Sequence, residues 1–164
     1  IAQKNNDTET ASGISKLAGL MRYMLYDSSV TQISLEKEIK NMEDYIALSK
    51  LRYAKDEIKT ELRIQGNMET VSIAPMILLP FVENAFKHGD LHDPSLPLKI
   101  YLQSNAKELT FEIENKIADK SNKTTSGIGI ENTKKRLAIA YPDRHTLHIS
   151  KTGSTYIVQL SIVW

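Results

Sequence analysis

Asn84, Lys87 and His88 fall at i, i+3 and i+4 of a helical pattern, so an amide, an ammonium and an imidazole share one face. The amide oxygen is a hard ligand of the kind Mg²⁺ accepts while it retains waters. The two basic groups can neutralise or hydrogen-bond phosphate oxygens. The same spacing is met as well by Lys87 and His88 acting only as helix-C-terminal cations that complement the macrodipole. Glu83 precedes the trio and points about a quarter-turn away.

A second constellation is Ser126-Gly127-Ile128-Gly129-Ile130-Glu131-Asn132. Two glycines directly before a helix let backbone N–H groups approach a phosphate at the positive end of the helix dipole. A lone G-x-G also serves as plain structural punctuation. The polar stretch 116–126 (KIADKSNKTTS) before it adds weight to the phosphate reading, because it could fold over a nucleotide.

These residues need a frame. Ile14, Leu17, Ala18, Met21 and Leu25 recur at helical spacing from about Ser12 to Tyr26. Ser34 is placed to cap a second helix, with Glu36 and Glu38 in its first turn and an end near Tyr53. Alternation then takes over at Ile58, Leu62 and Ile64, with Gly66-Asn67 as a turn. Pro75 opens the helix that carries Asn84, and Gly89 is expected to end it as a left-handed cap. Pro80 inside this helix should remove one hydrogen bond and bend it. A hairpin (Leu98–Leu102 with Leu109–Ile113), a helix from Ile130 to Ala140 and two closing strands complete the pattern. The expectation is an α+β fold, a helical segment over 1–55 and a mixed domain over 56–164.

Composition sets outer limits. The 164 residues carry 21 Lys+Arg against 20 Asp+Glu, a formal net charge of +1. No basic stripe is available to neutralise a nucleic-acid backbone, so nucleic acid is not an expected partner. With no cysteine, disulfides, thiolate metal sites and cysteine nucleophiles are excluded.

The string Leu79-Pro80-Phe81-Val82-Glu83-Asn84-Ala85-Phe86-Lys87-His88-Gly89 closely resembles the N box of sensor histidine kinases of the LytS-like class. The run from Gly127 through Asn132 to Arg136 and Leu137, followed by Tyr141-Pro142, is similar to that class's second glycine box and following helix. Leu20–Tyr26 and Glu43–Tyr53 resemble the segment that joins its phosphoacceptor helices to the ATPase domain. The resemblance implies a Bergerat-type α/β sandwich that binds ATP and Mg²⁺, phosphorylates a histidine and works with a response regulator in a two-component phosphorelay. Asn84 would ligate Mg²⁺, and Lys87 and His88 would approach the phosphates. Gly127, Ile128 and Gly129 would shape the phosphate-facing end of a lid, with Asn132 and Arg136 at matching helix positions. Glu83 would polarise the attacking imidazole as a general base or remain a surface carboxylate. Thr155 matches a position close to the adenine. A homodimer is implied, formed through the 11–53 helices; alternatively their apolar stripe simply covers the ATPase domain.

Two departures matter. The family's first glycine box supplies an Asp to the adenine amino group, whereas Glu112-Ile113-Glu114-Asn115-Lys116-Ile117 places Asn115 there and no glycine after it. The Asn115 oxygen can still accept, without the charge that strengthens such a bond. That substitution motivates an alternative, a degenerate ATPase-fold interaction module. Second, none of the four histidines (His88, His92, His145, His148) lies on the first helical segment. The phosphoacceptor is therefore expected upstream, in the cytoplasmic part of a bacterial inner-membrane sensor that meets the membrane only through an upstream region.

Overall fold

The computed structural model describes residues 8–26, 30–53, 58–118 and 128–164. Two helices come first, α1 (Thr8–Leu25) and α2 (Leu35–Lys50), preceded in the second case by the short strand β1 (Ile33–Ser34). Leu20 and Tyr23 bury one side of α1, and Lys16 reaches across to Asp44 of α2 at 2.6 Å. Ser34 caps α2 as expected, its Oγ accepting from the Lys37 N–H at 3.2 Å. The helix stops at Lys50, short of Tyr53, where the Leu51 N–H turns back onto the Leu48 carbonyl.

The remaining elements are β2 (Thr60–Gly66), β3 (Ser72–Ile73), α3 (Leu79–His88), β4 (Leu98–Ser104), β5 (Glu108–Lys116), α4 (Ile128–Ala140), β6 (His145–Thr152) and β7 (Thr155–Val163). Five strands form one sheet in the order β2-β4-β5-β7-β6, and β1 pairs with β3 in a separate ribbon. β2 and β4 are parallel, joined by a crossover that contains α3; the other pairs are antiparallel. The period-two pattern decides which face is covered. Leu98, Ile100, Leu102, Leu109, Phe111, Ile113, Val158, Leu160 and Ile162 point inward, where they meet Phe81, Val82 and Ala85 of α3 and Leu137 of α4. Their neighbours Tyr101, Gln103, Thr110, Glu112, Gln159 and Ser161 line an open polar face. This is the expected α+β sandwich, a mixed sheet with helices on one side.

Several local expectations are corrected. The helix anticipated from Pro75 begins only at Leu79, because Met76 takes the left-handed conformation (φ 60) and residues 75–78 form a turn. Pro80 is no misfit: it occupies the first turn, where its missing N–H has no intrahelical acceptor to lose. Gly89 is extended (φ −77, ψ 148) rather than left-handed, although its N–H still bonds the Ala85 carbonyl at 2.8 Å. Glycine is required there for space, since a Cβ would strike the Ala85 carbonyl oxygen and come within 2.9 Å of the Asn115 side chain. The first strand of the sheet starts at Thr60, leaving Ile58 as a buried anchor ahead of it. α4 begins at Ile128, so Ile128 and Gly129 belong to its first turn instead of leading into it. Gly127 and most of the polar stretch 116–126 lie outside the described residues.

Phe111 (1% exposed) rests on Phe81 with ring centroids 6.1 Å apart, joining the sheet to α3. Phe111→Ala is expected to cost about 3–5 kcal/mol of stability, read from urea unfolding followed by circular dichroism.

Candidate functional site

α3 carries the N-box residues, and its two ends are held by different parts of the molecule. At the C-terminal end, the His88 carbonyl accepts from the Ala118 N–H at 3.0 Å, and the Asp90 N–H donates to the Lys116 carbonyl at 2.9 Å. These bonds lay the end of the helix against the last residues of β5. Asn115 is consequently buried (3% exposed), beside Gly89 and opposite Tyr156, while Thr155 pairs with Lys116 one step further along. The structure thus gathers His88, Asn115 and Thr155 at one end of the helix.

The Asn115 amide is oriented by its own chain. Its Nδ2 donates to the Lys116 carbonyl at 2.8 Å, which leaves Oδ1 as the group facing the interior. Among the described residues that oxygen is buried with no hydrogen-bond partner. An unpaired buried acceptor costs about 1–3 kcal/mol, and an amide oxygen of this kind suits an exocyclic amine donor.

At the opposite end, α3 has no capping side chain of its own: its N-cap is Leu78. The Glu38 carboxylate of α2 takes that role. It is fully buried and accepts from the N–H groups of Leu78 (2.9 Å), Ile77 (3.0 Å) and Met76 (3.3 Å), and from the Tyr23 hydroxyl of α1. The Tyr23 oxygen in turn accepts from the Met76 N–H at 2.7 Å. Burial pushes the Glu38 carboxyl above the usual carboxylate range, against the pull of the Tyr23 hydroxyl and the backbone N–H groups. The Tyr23 phenol is likewise pushed up, by burial first and by the Glu38 charge second. α4 completes the enclosure. Tyr141 Oη accepts from the Ala74 N–H at 2.7 Å, and Arg136 donates to the Pro75 carbonyl at 2.9 Å.

The sequence marks Glu38 only as a first-turn carboxylate, and Tyr23 and Tyr141 only as members of segments that resemble the family, with no role for either. The signal was present: Glu38 interrupts the apolar stripe Leu35, Ile39, Met42, Ile46, and a carboxylate on a buried stripe demands donors. Arg136 and Asn132, candidate nucleotide-binding positions on α4, line a cleft with Ala74 and Pro75 beside the N-terminal end of α3. Ile128 and Gly129 are exposed, and a Cβ at Gly129 would meet nothing, so no crowded backbone approach demands glycine at that position.

Between the two ends, Asn84 is partly buried at mid-helix. Glu83 and Lys87 turn toward a cleft of about 700 Å³ that they share with Phe86 and with Tyr45, Arg52 and Tyr53 around the end of α2. Tyr45 stands edge-on to Phe86, centroids 5.9 Å apart at 80°. Burial in this cleft raises the Glu83 carboxyl, and the Lys87 charge opposes the shift. Among the described residues no three His, Cys, Asp or Glu side chains cluster. A divalent ion beside Asn84 would therefore take most of its ligands from a phosphate-bearing substrate and water. In a ¹³C NMR titration Glu83 should lose its proton above the ordinary glutamate range, and Lys87→Met should move the midpoint higher still. A midpoint that falls in the variant would contradict the arrangement.

Known proteins share both the sequence and the fold. A family model described as histidine kinase matches residues 1–57, covering α1 and α2. A sensor-like histidine kinase of Staphylococcus epidermidis is 34% identical over 90 residues, 55% of this chain and 17% of that protein. The sensor protein kinase HptS of Staphylococcus aureus is 33% identical over 76 residues, 46% of this chain and 14% of its own length. The chain thus spans less than a fifth of these curated relatives. Among solved structures, the Acinetobacter baumannii histidine kinase AdeS aligns with a TM-score of 0.56 at 14% identity, over 92% of this chain and 76% of that one. The catalytic domain of the histidine kinase ThkA aligns with a TM-score of 0.55 at 12% identity, over 81% and 95%. No described helix is long and apolar enough to cross a membrane.

Proposed function

We propose that this chain, which resembles sensor histidine kinases in sequence and their catalytic domains in fold, is the catalytic region of such a kinase, binds Mg-ATP along α3 and supplies its γ-phosphoryl group to a histidine upstream of the region. The observation that supports this reading is the buried Asn115 Oδ1, which has no hydrogen-bond partner among the described residues and could accept from the adenine amino group. With the base anchored there, the nucleotide lies along α3 toward Asn84. The Asn84 oxygen would contribute a ligand to Mg²⁺, and the ion would supply positive charge to offset that on the phosphate oxygens. His88, four residues on from Asn84, offers a further hydrogen-bonding group, Lys87 offers its charge from the adjoining cleft that it shares with Glu83, and Thr155 borders the base.

Glu83 accepts the proton of the attacking imidazole. Burial has already raised its affinity for one. The imidazole nitrogen forms the N–P bond as the bond from the γ-phosphorus to the β,γ-bridging oxygen breaks, and ADP leaves with that oxygen. A response regulator would then take the phosphoryl group, which places the intact protein in a two-component relay. Its membrane attachment would come from outside the described helices.

Calorimetric titration tests the reading. The chain should bind Mg-ATP with micromolar-to-millimolar affinity, and Asn84→Ala should weaken it roughly tenfold or more while leaving adenosine binding near its starting value. Asn115→Leu should abolish the preference for adenine over guanine nucleotides. Full Mg-ATP affinity in Asn84→Ala would remove that residue from the site. No binding of any adenine nucleotide by the unaltered chain would favour the interaction-module reading.

α1 adds a proposal about assembly. Ile14, Leu17, Met21 and Leu25 are 60, 52, 54 and 67% exposed, on the side of α1 away from α2, so they do not cover the catalytic unit. We assign this stripe to a homodimer in the intact protein. Sedimentation velocity over a range of concentrations should show weak self-association that Leu17→Glu abolishes.

A further inference from the structure

The turn between β3 and α3 is held by four side chains, and three of its N–H groups end on one carboxylate. Residues 74–78 approach the helix with Met76 left-handed, so the backbone cannot satisfy its own donors by helical bonding. Glu38 from α2 accepts from Met76, Ile77 and Leu78, Tyr23 from α1 bridges Glu38 to Met76, and Tyr141 and Arg136 from the α4 side hold Ala74 and Pro75. Without Glu38, three backbone donors would be left without that acceptor, each a loss comparable to a broken charge-assisted hydrogen bond. α3 therefore follows the carboxylate.

The other end of the helix depends on different groups. His88 and Asp90 bond to Ala118 and Lys116, extending β5, and Asn115 and Thr155 belong to the sheet itself. A shift in the helical pair thus acts on one end of α3 and leaves the other fixed to the sheet. Asn84 stands five residues from Leu79 on that lever.

We propose that Glu38 and Tyr23 are positioning residues for the phosphate end of the site: by holding the Met76–Leu78 amides they set the position of Asn84, so that displacement of α1 is transmitted to Asn84 and not to Asn115. The inference rests on the Mg-ATP reading for its functional meaning. Its geometric content is independent of nucleotide.

The test uses this chain with Tyr23→Phe and Glu38→Gln. Tyr23→Phe keeps the ring in its buried place and removes only the bridging oxygen. Glu38→Gln keeps the shape but replaces one acceptor with a donor facing N–H groups. Amide hydrogen exchange and ¹⁵N spectra including side-chain amides are recorded first. In Tyr23→Phe the amides of Met76 to Leu78 should lose protection and the Asn84 side-chain signals should shift, while those of Asn115 and of β5 and β7 stay in place. Mg-ATP and adenosine are then titrated calorimetrically. Mg-ATP affinity should fall several-fold while adenosine affinity holds, and Glu38→Gln should enlarge the same split. Unchanged Asn84 signals despite lost protection at 76–78 would overturn the proposal. So would a parallel loss of both affinities in a folded Tyr23→Phe variant, which marks a merely structural role. Should Glu38→Gln fail to fold, Tyr23→Phe decides alone. Should the unaltered chain bind no nucleotide, the Mg-ATP reading falls and the exchange and Asn84 spectra still decide the positioning claim.

Discussion

The fold turns on a buried carboxylate that must be surrounded by donors. Removing a carboxylate from water is expensive, and the cost is met here by three backbone N–H groups and one phenol. To provide them, α1 must lie where Tyr23 can reach, and the 75–78 segment must turn through a left-handed methionine to aim its amides inward. α3 cannot then start until Leu79, and α4 must approach closely enough for Tyr141 and Arg136 to satisfy Ala74 and Pro75. Hydrophobic burial fills the space between helices and sheet, but apolar contacts are non-directional. The carboxylate sets the direction in which α3 sits on the sheet.

That arrangement gives the site two unlike ends. The Asn115 end is made from sheet hydrogen bonds and a glycine whose side-chain position is taken by its neighbours. The Asn84 region hangs on a helix secured by side chains from the amino-terminal helical pair. The Glu83 cleft, roofed by Tyr45 and Phe86, lies alongside and borrows Arg52 and Tyr53 from the end of α2. The helical pair thus helps to line the Glu83 cleft as well as to hold α3.

Much of this was legible in the sequence because the signals were local. Ser34 as a cap, the 98–113 hairpin and the alternating strands depend on near neighbours and on periodicity, and the structure has them where expected. The N box suggested a nucleotide site through the family resemblance it carries, since the spacing of Asn84, Lys87 and His88 alone suits helix-terminal cations equally. What escaped was long-range or conformational. Glu38 meets amides about forty positions away, and no neighbour in sequence announces that. The starts of α3 and α4 were misplaced because proline and glycine each permit more than one role, and tertiary contacts choose between them. Gly89 was rightly required but for a different reason, crowding and not handedness.

The side-chain amide of Asn115 has one further consequence. Its nitrogen is committed to the Lys116 carbonyl at 2.8 Å, so a carboxylate substituted at this position would set two oxygen acceptors against each other at that separation. The asparagine and the peptide that follows it form a matched pair. The Lys116 carbonyl also accepts from the Asp90 N–H, so rotating that peptide to relieve the repulsion would break a second hydrogen bond.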